Sequence, residues 1–205
     1  MCRIPSPPFV EDMTTPRGAP SLGRINSMRT LIVSEFISLD GVVESPEWTF
    51  EVVEHDDAAY EIKGREQAEA GCLLLGRQTY DEFAPVWPTM EEFADYNAMP
   101  KYVVSSTLTH PEWNNTSVLR GLDEVAALKE ADEPGTILVH ASPTLAQGLA
   151  AAGLVDRYHL LVYPVVLGTG KRLFPTDTKS RQRLTLTEHA AYANGVQLNV
   201  LDVVH

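Results

Sequence analysis

The chain has 205 residues, 44% of them hydrophobic and 21% charged, which is the composition of a soluble globular protein of one domain. Its formal net charge of −12 argues against a nucleic-acid partner, which requires a basic surface, but leaves room for one phosphorylated small molecule in a local basic pocket. No apolar stretch reaches the about 20 residues needed to span a bilayer.

The first 27 residues hold five of the fourteen prolines and no sustained apolar period. They lack the apolar core of a secretory signal and read as a disordered extension, with Met28 as the functional start and residues 28–205 as the domain. Cys2 lies in this tail, and Cys72 heads an apolar run as a buried small residue. Neither has the spacing of a zinc or redox pair, which fits a reducing cytoplasm.

From Arg29 the elements alternate. RTLIVSEFISLDG contains a strand closed by the turn pair Asp40-Gly41, and Val42 to Glu54 reads as a loop or helix start. DDAAYEIKGREQAEA is an exposed helix, and CLLLG is a short all-apolar strand of the kind buried on both faces. GRQTYDEFAPVW turns into a helix ended by Pro85 and Pro88, and EEFADYNAM is a short helix. KYVVSSTL is a strand running into hydroxyl residues. LDEVAALKEA has helical spacing at Leu122, Val125 and Leu128. TILVHAS is a strand, PTLAQGLAAAGL a helix and DRYHLLVYPVVLG a long strand. The last two strands flank a hairpin turn at Ala193-Asn194-Gly195. This order predicts an α/β sandwich with a mixed, mostly parallel sheet and antiparallel C-terminal strands.

Three strand ends carry small or hydroxyl residues, and all fall on the carboxyl edge of the sheet, where open α/β folds bind ligands. In LLLGRQT, Gly76 permits a sharp turn, Arg77 can pair with a phosphate and Thr79 can cap a helix. A plain capped helix with an exposed arginine is the other reading. In VVSSTL, Ser105, Ser106 and Thr107 suit either a phosphate or a polar turn. In VHASPTLAQGL, Ser142-Pro143 fits a helix N-cap with proline at the first position, and small Ala141 would let a pyrophosphate approach. His140 stands beside that seat.

Other chemistries lack their motifs. There is no P-loop, no G-x-G-x-x-G and no G-x-S-x-G elbow, and the glycines of YPVVLGTGKRLFP are not followed by a helix. The six histidines show no metal-ligand spacing. His55-Asp56-Asp57 reads as a solvated helix start rather than a cation site, and His159 as a strand residue with a satisfied hydrogen bond. No metal is expected.

FISLDGVVE, LLLGRQTYDEF, KYVVSSTL and ILVHASPTLAQGLAAAGLVDRYHLLVYPVVLGTGKRLF follow one another in an order that resembles the dihydrofolate reductase-like superfamily. Within it the match is to the RibD C-terminal domain family, the reductase domain of riboflavin biosynthesis, from Met28 to the C-terminus. The resemblance implies a dihydrofolate reductase-like three-layer sandwich. It also implies NADPH-dependent reduction of a small heterocyclic substrate, pteridine- or pyrimidine-like, by a cytoplasmic homodimer. The alternative is a protein of the same fold that holds a nucleotide or pterin-like ligand without turnover, and a reductase preferring NADH or a flavin is a third reading.

Carried over by motif, Asp40 lies beside the nicotinamide and substrate and is the first candidate for placing a proton, with Glu44 second. Gly76, Arg77 and Thr79 would bind cofactor phosphates, and Ser105, Ser106 and Thr107 would surround the adenosine 2′-phosphate. Ala141, Ser142 and Thr144 would face the pyrophosphate, with His140 and Leu145 beside them. Pro164, Leu167, Gly168 and Gly170 would line the cleft near the nicotinamide. Trp48 and Phe50 would stack on a flat ring or sit in the core. The chain departs from the family pattern in two places. His140-Ala141-Ser142 replaces the usual glycine-containing pair, which bears on pyrophosphate binding. Asp156 is followed by Arg157 instead of Glu, which bears on the substrate or a dimer contact. The zinc motif of a fused deaminase does not occur in these residues, so a stand-alone domain is expected.

Overall fold

The computed structural model describes residues 28–175 and 181–205, so the extension expected at 1–27 lies outside the described residues. Eight strands form one sheet: β1 (Leu31–Ser38), β2 (Ala70–Gly76), β3 (Lys101–Val104), β4 (Thr116–Leu119), β5 (Thr136–His140), β6 (Arg157–Tyr163), β7 (Arg183–Ala191) and β8 (Gln197–Val204). Their order is β4-β3-β2-β5-β1-β6-β8-β7. From β4 to β6 every pairing is parallel, and β8 joins β6 and β7 antiparallel. The helices are α1 (Thr49–Val52), α2 (Asp57–Glu69), α3 (Arg77–Phe83), α4 (Ala94–Ala98), α5 (Leu122–Glu130) and α6 (Pro143–Ala151). The mixed sheet and antiparallel C-terminal strands are those expected from the sequence.

Strand alternation divides β1 between two cores, because successive side chains point to opposite faces. Leu31, Val33 and Ile37 pack with Val125 of α5 and Leu145, Ala146 and Leu149 of α6. Ile32 joins the opposite face, where Leu73, Leu75 and Leu138 meet Tyr80 of α3, Tyr96 of α4 and Trp113. Further along that face, Ala59 and Ile62 of α2 pack on Leu161, Tyr163 and Leu198. The result is three layers, helix-sheet-helix. Cys72 is buried, as expected.

Two elements differ from the sequence reading. The long strand ends at Tyr163 rather than running to Gly168, because Pro164 has no N–H for the ladder. The Val165 N–H closes a tight turn on the Tyr163 carbonyl (2.8 Å). Strand β4 has no counterpart among the elements expected from the sequence. It is four residues long, pairs only with β3, and carries no run of apolar residues. At the other edge the hairpin turn lies where expected, with Gly195 at φ +85° and the Gly195 N–H bonded to the Tyr192 carbonyl. Asp56 caps α2 by accepting from the Ala58 N–H (3.0 Å), and His55 pairs with Asp57, so that cluster is a helix start.

Candidate functional site

The carboxyl ends of β2 and β5 open into a cleft of about 800 Å³, within the size range of small-molecule sites. One wall is built from the heads of α3 and α6, and the other from Val43–Glu47 and Lys171. Gly76, Arg77, Thr79, Ala141, Ser142, Thr144 and Leu145 all line it, as does Glu44. Two of the strand ends singled out in the sequence thus meet at one cleft.

The hydroxyls of that wall are spent on each other. The Gly76 N–H donates to Ser142 Oγ (3.0 Å), Ser142 Oγ donates to Thr79 Oγ1 (2.9 Å), and Thr79 Oγ1 donates to the Ala141 carbonyl (2.5 Å). This relay ties the head of α3 to the head of α6. It corrects two expectations. Thr79 does not cap α3, whose N-cap is Gly76, and the Ser142 side chain does not cap α6, although Pro143 does occupy its first turn. Both hydroxyls turn across the gap between the helices instead. Ala141 holds φ +44°, the left-handed region that costs a Cβ-bearing residue roughly 1–2 kcal/mol. The residue is thus set in a conformation that glycine would adopt freely.

Two cations reach the cleft. Arg77 forms a two-point ion pair with Asp81 (Nε to Oδ1 and Oδ2, both 2.8 Å) and touches Thr107 Oγ1 through NH1 (3.3 Å), so the second strand end adjoins the first. Ser105 is buried, and its Oγ accepts from the N–H groups of Thr107 and Leu108, the geometry of a polar turn. Ser106 is exposed at the tip of that turn. Lys171 was not named from the sequence. Its Nζ donates to Thr144 Oγ1 (2.9 Å), in the first turn of α6. A cation set at the positive end of a helix is unfavourable unless an anion joins them. A spacing rule has no access to it, since the loop carrying Lys171 meets α6 only through the fold.

Other residues expected at the site have different surroundings. By the alternation of β5, His140 shares the face of Leu138. Its ring packs edge-on against Tyr96 with Nε2 3.2 Å from the phenol oxygen, and burial, then Lys63, push its pKa down to about 4. It faces the core and not the cleft. The Asp40 carboxylate is saturated. It accepts from Ser38 Oγ (2.7 Å), the N–H groups of Leu167 (3.1 Å) and Gly168 (2.9 Å), and Arg172 NH2 (3.2 Å). The Ser38 hydroxyl, then the Leu167 N–H, hold its pKa down at about 2. An ionised, fully engaged carboxylate has no proton to give, so Asp40 serves as the clamp of the Pro164–Gly170 loop. Gly170 does answer to close approach: at φ +114° a Cβ there would stand 2.6 Å from Val42 Cγ1. The neighbour is Val42, just past the Asp40-Gly41 turn, and none of Pro164, Leu167, Gly168 and Gly170 lines the cleft.

Trp48 lies in the aromatic cluster, edge-on to Tyr163 (5.4 Å), with its Nε1 donating to the Glu44 carbonyl. Phe50 is 75% exposed and outside that cluster. The aromatic surface that does border the cleft is Phe83 and Trp87, stacked at 4.0 Å and 16°. Arg157 pairs with Asp202 on β8, and Asp156 accepts from Lys129 Nζ (2.6 Å) and the Leu31 N–H (2.7 Å). The Asp156-Arg157 departure therefore stitches the domain internally.

Behind the sheet lies a polar cluster. Glu66 of α2 accepts from Ser34 Oγ (2.7 Å) and His159 Nδ1 (2.8 Å) and pairs with Lys63 (3.3 Å). Burial by itself would raise its pKa, yet Lys63, His159, His140 and the Ser34 hydroxyl together hold Glu66 well below the usual carboxylate range. Glu66 is thus a carboxylate, which makes His159 Nδ1 the donor. His159 is a satisfied strand residue, as expected.

A model of the RibD C-terminal domain family matches residues 29–198. The uncharacterized protein YyaP of Bacillus subtilis (strain 168) is 27% identical over 183 residues, 82% of this chain and 92% of its own. Among solved structures, a putative riboflavin biosynthesis protein from Shewanella sp. PV-4 superposes with a TM-score of 0.71 at 19% identity, covering 86% of this chain and 99% of that one. Dihydrofolate reductase from Enterococcus faecalis, complexed with NADP(H), gives 0.59 at 14% identity, covering 86% and 97%. A pyrimidine reductase-like protein from Corynebacterium diphtheriae gives 0.59 at 13%, covering 92% and 97%. These likenesses establish the dihydrofolate reductase-like fold, and the family match places the chain: it belongs to the RibD C-terminal domain family.

Proposed function

We propose that this protein is an NADPH-dependent reductase that transfers a hydride to a small heterocyclic substrate, pteridine- or pyrimidine-like. The observation that carries the reading is the cleft, where Lys171, the first turn of α6 and Arg77 converge on the carboxyl edge of a parallel sheet. Lys171 and Arg77 are the cations that suit the cofactor's phosphates; Glu44, Glu47 and Glu82 line the same cleft, and Arg77 would have to share its guanidinium with Asp81. Ala141 to Leu145 and Lys171 would hold the diphosphate, and Arg77 with Ser106 and Thr107 the adenosine 2′-phosphate. Bound there, NADPH supplies the hydride.

The chain's own residues orient and exclude. Phe83 gives the cleft an apolar wall, and Trp87, stacked between Phe83 and Phe93, holds that wall in place. Asp40 fixes the loop that carries Lys171, and Glu44 stands at the cleft with Oε2 on the Lys171 N–H (3.0 Å), leaving its other oxygen to substrate. With Asp40 saturated, Glu44 is the better placed of the two carboxylates to touch substrate. The reading extends to a cytoplasmic homodimer, and the exposed Leu184 and Leu186 on the edge strand β7 would suit such a contact.

Calorimetric titration of the full chain with NADPH and NADH tests the proposal. Micromolar binding with NADPH preferred supports it and justifies a substrate screen, whereas binding of neither sinks it. The saturation of Asp40 favours one second reading, a ligand-binding protein without turnover. Tight NADPH binding with no oxidation by any pteridine or pyrimidine acceptor would select that reading.

A further inference from the structure

One buried acid, Glu35, lies outside the lining of the cleft. On β1 the residues facing α6 are Leu31, Val33, Glu35 and Ile37, and Glu35 alone breaks the apolar series. It is 4% exposed, and Oε1 has no hydrogen-bond partner among the described residues. The β1–β5 register sets Ser34 against His140, so Glu35 stands beside the turn through Ala141 and Ser142 that opens α6 and lines the cleft. A buried polar atom without a partner is uncommon, and this one stands next to the turn whose N–H groups open onto the cleft.

We propose that Glu35 tunes the anion seat of the cleft from behind: a diphosphate seated at the head of α6 is accepted with Glu35 as the neutral acid, and when Glu35 starts ionised, binding takes up a proton onto it. This rests on the proposed function. The physical reason is direct. An ionised Glu35 would place a second negative charge behind the N–H groups that receive the diphosphate and would cancel the positive end of the helix. A neutral Glu35 leaves that end intact.

The surroundings support the neutral form. Burial is the largest influence and raises the carboxyl to about 8, against the lowering effects of Lys63 and the Ser142 N–H, with Glu66 adding to the rise. Lys63 acts from α2 across the sheet and is already paired with Glu66, so its charge is largely compensated. On the α6 side the lowering group is the Ser142 N–H. Lys171 stands beyond, on Thr144.

The experiment is calorimetric titration of the full chain with NADPH from about pH 7 to about pH 9.5, in paired buffers of different ionisation enthalpy. Over that range the phosphates of the ligand are fully ionised. The wild type should bind with constant affinity up to about pH 8 and then weaken up to tenfold per pH unit, with net proton uptake approaching one. Glu35→Gln should bind with no uptake and no weakening attributable to this group. Lys101, which burial lowers to about 8, titrates in both proteins and is removed by the comparison. A second readout needs no variant: at about pH 9, NADPH should bring up a carboxylic-acid infrared band in the wild type. Binding without uptake, or uptake unchanged in Glu35→Gln, overturns this inference and leaves the reductase reading standing. Absence of NADPH binding overturns both.

Discussion

Glu66 and Glu35 lie on opposite sides of the same strand, and they have been treated differently by the fold. On the α2 side, Glu66 is fully buried and every group near it is answered: Ser34, His159 and Lys63 all donate to it, and it stays ionised. On the α6 side, Glu35 is as deep, has one oxygen without a partner, and is raised to about 8. The first arrangement is closed and structural. The second is incomplete and lies behind the wall of the cleft. Polar burial by itself is thus uninformative about function, and the informative quantity is whether the hydrogen-bonding capacity has been used.

The sharpest way to break this comparison is Glu66→Gln. Removing the carboxylate leaves Lys63 without its counter-ion, and loss of about 3–5 kcal/mol is expected in urea denaturation. A cost below about 1 kcal/mol would mean that the network is slack and the contrast with Glu35 unfounded.

Glu35→Gln should act in the opposite sense and depend on pH. The folded pKa lies near 8, above the ordinary value of 4.5, so the folded protein holds the proton more tightly than the unfolded chain. The penalty for burying this acid is absent below about pH 4.5, grows between about 4.5 and 8, and is full above about 8. Glu35→Gln should therefore raise Tm by about 5 °C or more at pH 9 and change it little at pH 5, as read by differential scanning calorimetry. A Tm gain equal at both pH values would remove the ionisation argument.

Lys171→Met sharpens the cleft side. It removes the cation at the head of α6, and NADPH affinity should fall about tenfold with Tm unchanged, since the side chain is partly exposed. Unaltered affinity would place the phosphates elsewhere. The smallest effect is expected from Ala141→Gly, which relieves a left-handed alanine and should stabilise by about 1 kcal/mol. Destabilisation would show that the Ala141 methyl is packed to advantage.

The strands and helices of the parallel half were legible because their signals are local. CLLLG is apolar throughout and forms a strand buried on both faces, and Ser142-Pro143 does open a helix. Strand β4 was not legible, since Thr116–Leu119 owes its conformation to pairing with β3 and to no periodicity of its own. At the site, the positions of Gly76, Arg77, Thr79 and Ala141–Leu145 on one cleft followed from parallel topology. The roles of Thr79 and Ser142 did not, because each hydroxyl had two plausible acceptors and only the approach of α3 to α6 selected between them.

Asp40 illustrates the same limit. Its sequence context specifies a turn acid, and the turn is there, but the four groups that consume its carboxylate include Leu167, Gly168 and Arg172, more than 120 residues away. What the amino-acid sequence determined by itself is the set of elements, their parallel order and the edge on which polar strand ends gather, because periodicity, turn residues and crossover handedness act over short stretches. What only the tertiary structure decided is which of those polar groups are used up and which are left over. Hydrogen-bond satisfaction depends on partners brought together from distant parts of the chain. That is why His140 turned into the core, Asp40 became a clamp, and Glu35, unremarkable in SEFIS, became the acid behind the cleft.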